Sequence, residues 1–339
     1  MFNAQDNIGN CLDSLLHQDL AHNEYEILIM DDGSRDNSVA IVEDYAKKFP
    51  IVKLIGAKNS GCYSTRNKLL KLAQGDYIYN LDADDYIVHN CLGRLLDVAL
   101  DENADILGFK SHETKQLDEK TLVTEISKDQ FKISSGRTFI ENHLKLRFEI
   151  WWYFIKRKFL AQHELAFNNN EYNADVVFTV KAILNAKKFV FLPVKIHRYV
   201  QTQDSLMRSK SFEIIVKRLS YSQMMIVNLS EIIGQLKAEN TLKNSRIIHN
   251  LSHRRDVFVF FHIVNMIRNS FSNDYIKTSV EALKHVQAYP IDNFIYKEYH
   301  THKYRMLLHI INRPALLYSA SSFKNIFSKS QNQRELNLK

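Results

Sequence analysis

The stretch Tyr77-Ile78-Tyr79-Asn80-Leu81-Asp82-Ala83-Asp84-Asp85 runs from aromatic and aliphatic residues directly into three carboxylates within four positions. The apolar part reads as a buried strand covered on both faces, and the acids fall at its C-terminal tip, where open α/β sheets bind their ligands. Carboxylates this close repel one another unless a cation or hydrogen-bond donors neutralise them. An Asp-x-Asp at a strand tip therefore suits a hard divalent metal carrying a phosphorylated ligand. The plainer reading is an acidic turn, with Asp85 capping a helix.

Working outward, Glu26-Ile27-Leu28-Ile29-Met30 is a second short apolar strand, followed at once by Asp31-Asp32-Gly33-Ser34 and a helix from about Ser38 to Lys48. Asn7 to Gln18 carries Ile8, Cys11, Leu12, Leu15 and Leu16 at helical spacing, with Asp6 or Asn7 as its cap. Ile51 to Ile55 is a further strand, and the loop around Gly61 enters a helix that ends at Leu72. Repeated strand-helix alternation predicts a parallel, doubly wound sheet whose loops converge on one edge, bringing Asp32, Arg66 and Asp84 together. Asp31, Ser34 and Asp36 read as turn and cap residues rather than ligands.

The chain of 339 residues is 45% hydrophobic, enough for one large domain with an appendage or for two domains. Its 3 cysteines, Cys11, Cys62 and Cys91, form no Cys-x-x-Cys pair, which argues against a thiolate zinc site or a disulfide framework. The most apolar run, Val257 to Val264, is too short for the roughly 20 residues that span a bilayer. Residues 1–110 hold 10 Lys and Arg against 18 Asp and Glu, while the rest holds 35 against 20. A basic C-terminal half can face an anionic membrane surface or simply be solvated, and no nucleic-acid motif accompanies it.

Phe2-Asn3-Ala4, Ser14-Leu15-Leu16-His17-Gln18, Asp31-Asp32-Gly33-Ser34, Gly61 with Arg66-Asn67, and Leu81-Asp82-Ala83-Asp84-Asp85 resemble the ordered motifs of family 2 glycosyltransferases. The resemblance implies an α/β chain of the GT-A fold, a nucleotide-diphospho-sugar transferase with a mostly parallel doubly wound sheet, and an inverting mechanism. It divides the chain into a transferase domain over residues 1–205, with a nucleotide-binding half (1–110) and an acceptor half (111–205), and a basic helical region over 206–339. By resemblance Asp32 binds the nucleobase, Arg66 lies beside the base or diphosphate, Asn3 lines the same pocket and Asp82 contacts the ribose. Asp84 then meets Mn²⁺ or Mg²⁺ on the diphosphate, and Asp85 holds the loop. A carboxylate can accept the imide N–H of uracil, and a metal neutralises charge on the departing nucleoside diphosphate.

Tyr172-Asn173-Ala174-Asp175 resembles the family's Glu-Asp motif, which makes Asp175 the catalytic base, although a helix N-cap is its plainer role. Ala174 stands where the family carries Glu, and Glu171 is a nearby substitute. Ile150 to Arg157 is a dense aromatic run in which Trp151 and Trp152 read as core rather than as acceptor platforms. Phe189 to Val194 reads as an edge strand, and His197 and Arg198 as basic groups that could reach the diphosphate. After Met207 the pattern is helical, and its basic amphipathic segments read as core-facing, with a membrane-surface helix as the alternative.

These readings imply an enzyme that moves a sugar from a nucleotide donor, a UDP-sugar by preference, to a hydroxyl of a polysaccharide or lipid-linked glycan. It would work in the cytoplasm or at the inner face of the membrane. The alternatives are a non-catalytic nucleotide-sugar binding protein and a haloacid-dehalogenase-like phosphatase. The latter has no place for Asp31-Asp32-Gly33-Ser34. The motif at Met1-Phe2-Asn3 also begins at its own end, so an apolar strand of about five or six residues is expected upstream.

Overall fold

The computed structural model describes residues 1–56, 59–121, 126–168, 174–201, 211–239, 244–292 and 301–319. The chain divides into two compact units, one of residues 1–142 and 147–208, the other of residues 143–146 and 209–339.

In the first unit, helix α1 (Ile8–Leu16), strand β1 (Ile27–Asp31), helix α2 (Ser38–Lys48) and strand β2 (Val52–Gly56) alternate as the hydrophobic periodicity predicts. β1 and β2 pair in parallel, Ile27 opposite Val52 through Asp31 opposite Gly56. Ile8, Cys11 and Leu12 of α1 pack with Ile27, Ile29, Val42 and Val52 in one buried cluster, so the stripe that makes α1 amphipathic is the one it buries. The Met1 ammonium donates to the Met30 carbonyl at 2.6 Å, and Asp32 N donates to the Met1 carbonyl at 2.9 Å, which holds Met1 beside the end of β1.

Helix α3 (Cys62–Leu72) follows, then β3 (Tyr77–Tyr79), β4 (Tyr86–Ile87), α4 (Leu92–Asp101), β5 (Ile106–Thr114), β6 (Lys132–Ser134), α5 (Gly136–Asn142), β7 (Tyr153–Lys156), α6 (Arg157–Gln162), α7 (Ala174–Asn185) and β8 (Phe189–Val200). The second sheet has the order β3-β7-β5-β8-β4, with β6 also on β8. β5 and β8 form its longest ladder and are parallel; β3–β7, β5–β7, β4–β8 and β6–β8 are antiparallel. β3 is half-buried rather than covered on both faces, because its tyrosines carry polar tips that need partners. Tyr77 Oη lies 2.7 Å from both the Ala99 and the Ala104 carbonyl, either of which can accept its one hydrogen, and Tyr79 Oη donates to Trp151 O at 3.0 Å.

β8 corrects the expected edge strand: it is interior, flanked by β5 on one side and by β4 and β6 on the other. Pro193 is tolerated because the register with β5 shifts there, from Phe109 opposite Leu192 to Lys110 opposite Lys195, and a bulge asks no ladder donor of proline.

The second unit is helical: α8 (Phe212–Ala238), α9 (Ser245–Arg268), α10 (Asn273–His285) and α11 (His302–Ile311). The run Val257 to Val264 lies within α9, where Val257, Val259, Phe260 and Ile263 are buried, as core-facing amphipathicity requires. Met306 on α11 is exposed, and the basic-apolar segment Phe323 to Phe327 lies outside the described residues. Among the described residues no helix is long and apolar enough to cross a membrane.

Candidate active site

The turn after β1 is built by its own acids. Asp31 accepts from Gly33 N and Ser34 N, both at 3.2 Å, and Gly33 takes φ 87°, a left-handed conformation that L side chains adopt at a cost. Asp36 accepts from Gln5 N at 3.1 Å and from Ser38 N at 3.0 Å. Asn3 lies against the same turn: its N donates to Ser34 Oγ and its Oδ1 accepts from Arg35 N, each at 2.9 Å.

Asp32 turns the other way. It is buried and accepts from Ser60 N at 2.7 Å, Gly61 N at 3.1 Å and Thr65 Oγ1 at 3.1 Å, tying the end of β1 to the N-terminus of α3. A carboxylate satisfies orphan helix donors well there and is favoured by the positive end of the helix dipole.

One turn into α3, the Arg66 guanidinium binds Asp82 and sits 5.3 Å from the Tyr63 ring centroid. Burial alone would lower the Arg66 pKa, but Asp82 and the acidic groups around it hold it above its ordinary value. Tyr63 Oη in turn donates to Asp175 Oδ1 at 3.1 Å, from α3 to the first turn of α7. Burial pushes the Asp175 carboxyl up to about 6, with Arg66 and the Tyr63 hydroxyl opposing the rise. Glu171 lies outside the described residues.

The acids after β3 differ in their surroundings. Burial, then Asp85 and Asp82, push the Asp84 carboxyl up to about 6. Asp85 is buried and accepts from Val200 N at 2.8 Å, which pins the acidic loop to the end of β8. His197 is also fully buried. Its Nδ1 is 2.8 Å from Ser111 Oγ, its Nε2 is 3.1 Å from Asp85 Oδ2 at an angle too oblique for a hydrogen bond, and the Trp151 ring stacks on it at 4.3 Å. Arg198 donates from Nε to Glu119 O at 3.0 Å and from Nη1 to Lys195 O at 2.7 Å. His197 thus stays inside the sheet, bonded to Ser111 of β5 and facing Asp85, while Arg198 bonds neighbouring carbonyls. Trp152 packs with Phe139 and Phe189 in the core.

Among the described residues no three His, Cys, Asp or Glu side chains gather as an all-protein metal cage. A Mg²⁺-like ion needs only one or two carboxylates when a diphosphate supplies further oxygens. Asp84 is a half-buried carboxylate with two further carboxylates, Asp82 and Asp85, within two positions of it, and this oxygen donor set fits such an ion.

Tyr63 was not singled out from sequence, though it lies three residues before Arg66 and so on the same helical face. Asn67 belongs to the Arg66-Asn67 motif but has no role assigned from sequence, and nothing in the sequence singles out Phe167. The Asn67 amide donates to Phe167 O at 2.7 Å and accepts from Phe167 N at 2.9 Å, and Phe167 stacks on Phe178 of α7 with ring centroids 4.1 Å apart.

A strand-tip acid loop, a half-buried Arg-Asp pair and a partly buried carboxylate on a facing helix thus belong to one α/β domain, the class of fold that binds ligands at its strand tips. Residues 1–163 match the family described as Glycosyl transferase family 2. It is 29% identical over 217 residues to the Bacillus subtilis protein named uncharacterized glycosyltransferase EpsJ, covering 61% of this chain and 60% of that one. It is 32% identical over 192 residues to a poly(ribitol-phosphate) beta-glucosyltransferase of Bacillus spizizenii, covering 56% of this chain and 29% of the other. The chain thus spans from under a third to about three fifths of the length of these relatives. In fold it is similar to residues 1–349 of Staphylococcus aureus TarS in complex with UDP-GlcNAc, at TM-score 0.65 and 20% identity over 98% of this chain and 90% of that one. The matched residues include Asp31-Asp32-Gly33-Ser34, for which the phosphatase alternative has no place.

Proposed function

We propose that this chain is a metal-dependent inverting glycosyltransferase that moves a sugar from a UDP-linked donor to a hydroxyl of an envelope polysaccharide or lipid-linked glycan. The observation that carries the reading is the line Asp82–Arg66–Tyr63–Asp175, in which residues of the donor-side motifs touch a carboxylate of the acceptor half. Complexes of similarly folded proteins support the donor class: TarS with UDP-GlcNAc, and a mannosyltransferase of Pyrobaculum calidifontis with GDP-Man and Mn²⁺, the latter at TM-score 0.52.

In this reading Asp32, Asn3 and Asp82 line the nucleoside side, with Arg66 beside the diphosphate. Asp84 would hold Mn²⁺ or Mg²⁺, which when bound would neutralise charge on the leaving UDP. Asp175 accepts the proton of the acceptor hydroxyl as that oxygen bonds to the anomeric carbon and the bond from that carbon to the UDP oxygen breaks on the opposite face. The excess of basic residues beyond residue 110 supports a working position against an anionic membrane surface.

The test is UDP release from a panel of UDP-sugars, with and without Mn²⁺, for the parent chain and Asp175→Asn. Metal-dependent release by the parent that Asp175→Asn loses, with UDP affinity kept, supports the reading. Tight UDP binding with no release under any acceptor makes the chain a binding protein instead.

A further inference from the structure

We propose that Tyr63 is a positioning residue: its hydroxyl holds Asp175 while its ring bears on Arg66, so that one side chain of α3 sets the base against the donor-contacting residues. The inference rests on the reading of Asp175 as the base. Its own ground is geometric. The Tyr63 hydroxyl lies 3.1 Å from Asp175 Oδ1, and the Arg66 guanidinium carbon is 5.3 Å from the Tyr63 ring centroid, within cation–π range.

The link does not stand alone. Tyr63 packs on Phe167 with ring centroids 5.6 Å apart, and Phe167 continues the stack onto Phe178 of α7 at 4.1 Å. Four residues after Tyr63, the Asn67 amide grips both backbone polar groups of Phe167. One face of α3, residues 63, 66 and 67, therefore holds both the base helix and the segment leading to it, while Arg66 on that same face holds Asp82 of the acidic loop. Residues on one helical face move as a body, so the spacing between donor contacts and base is set by a rigid element rather than by a loop. The hydroxyl also stabilises the ionised carboxylate, the form a base must present to the acceptor.

The experiment uses the full chain with Tyr63→Phe, which keeps the ring against Phe167 and Arg66 and removes only the donor. Three quantities are followed: UDP affinity by calorimetry, UDP release from UDP-GlcNAc against pH, and the ¹³C NMR titration of the Asp175 carboxyl, assigned by its disappearance in Asp175→Asn. The expected result is UDP affinity within twofold of the parent, an Asp175 midpoint and acid limb moved upward by about one pH unit, and release near pH 6 reduced about fivefold. Should Tyr63→Phe fail to fold, 3,5-difluorotyrosine at position 63 offers a stronger donor of nearly the same size and should move the midpoint downward. The NMR titration decides where release is too slow to follow. A midpoint unmoved in the substituted chain, with Asp175→Asn inactive, overturns the positioning role and leaves the proposed function standing. Full release by Asp175→Asn overturns both.

Discussion

Asp85 and His197 face each other across 3.1 Å with both side chains closed off from water, and the Trp151 ring lies stacked on the imidazole. Burial favours the uncharged form of each, pushing Asp85 up to about 8 and His197 down to about 3. The signs follow from linkage. A carboxyl with a raised folded pKa stabilises at low pH, and that stabilisation is lost as pH rises from about 4 to about 8. An imidazole with a depressed folded pKa costs stability as pH falls below its unfolded value of about 6.5. Between about 6.5 and 8 Asp85 alone of this pair acts and loses stabilisation as pH rises, while the Met1 ammonium, whose pKa burial lowers, acts with the opposite sign. The Asp85 contribution is therefore the difference between two chains: melting temperatures in metal-free buffer should fall more, or rise less, with pH in the parent than in Asp85→Asn, and equal slopes would contradict the neutral pair.

Asp84→Asn should remove the metal-dependent part of UDP binding and leave the fold intact, because the carboxyl is only partly buried and its nearest charges, Asp85 and Asp82, repel it. In the parent, Mn²⁺ with UDP at 100 times its Kd should add about 2.7 kcal/mol of stability. The increment should shrink to that of UDP alone in the variant. An equal Mn²⁺ increment in both chains would remove Asp84 from the metal site.

Asp32→Ala should be harmful twice over. It would lose the proposed base contact and would leave the Ser60 and Gly61 amides and the Thr65 hydroxyl without their carboxylate, a loss of about 1.5–3 kcal/mol for bonds to a charged acceptor. Urea midpoints and UDP calorimetry should both fall. Asp32→Asn, which keeps one acceptor oxygen, should recover part of the stability; if it recovers all of the UDP affinity too, Asp32 serves the fold only.

Turnover should fall on acidification with a midpoint near 6, because Asp175 acts as a base only when ionised and burial has raised its carboxyl to about 6. The acid limb of kcat/KM on the free enzyme is the measurement. A limb near 4 would belong to an exposed carboxylate elsewhere.

The motifs from Asp31 to Asp85 were legible because each is a local signal: an apolar run of the right length, then a turn whose residue types serve one purpose. Four short stretches of period and punctuation were enough to set α1, β1, α2 and β2 within a residue or two of where they lie. Strand partnership was less legible. Pairing β3 with β7 and burying β8 between β5, β4 and β6 joins residues far apart in the chain, and only the bulge at Pro193 reconciles that proline with an interior strand. His197 looked like a free basic group because a sequence does not show that Trp151 and Asp85 will enclose it. Tyr63 was passed over for a similar reason: its function depends on Asp175, 112 residues away.

Gly136 begins α5, and its N donates to Ala186 O at 2.9 Å, just beyond the end of α7. A Cβ there would overlap the Ile183 carbonyl oxygen outright and lie 2.8 Å from the carbonyl carbon, and neither backbone atom can swing aside as a side chain could. Gly136→Ala must therefore push α5 away from α7, the helix that carries Asp175. Overpacking of this kind costs about 1–3 kcal/mol, and more where the obstacle is backbone. The expected outcome is a melting temperature lowered by several degrees together with turnover reduced more than UDP affinity, since the strain falls on the base helix and not on the β1–α3 donor side. Equal losses of turnover and UDP affinity would mean that the shift spreads through the whole unit. An unchanged melting temperature would mean that α5 and α7 are not packed as closely as Gly136 and Ile183 are in this structure.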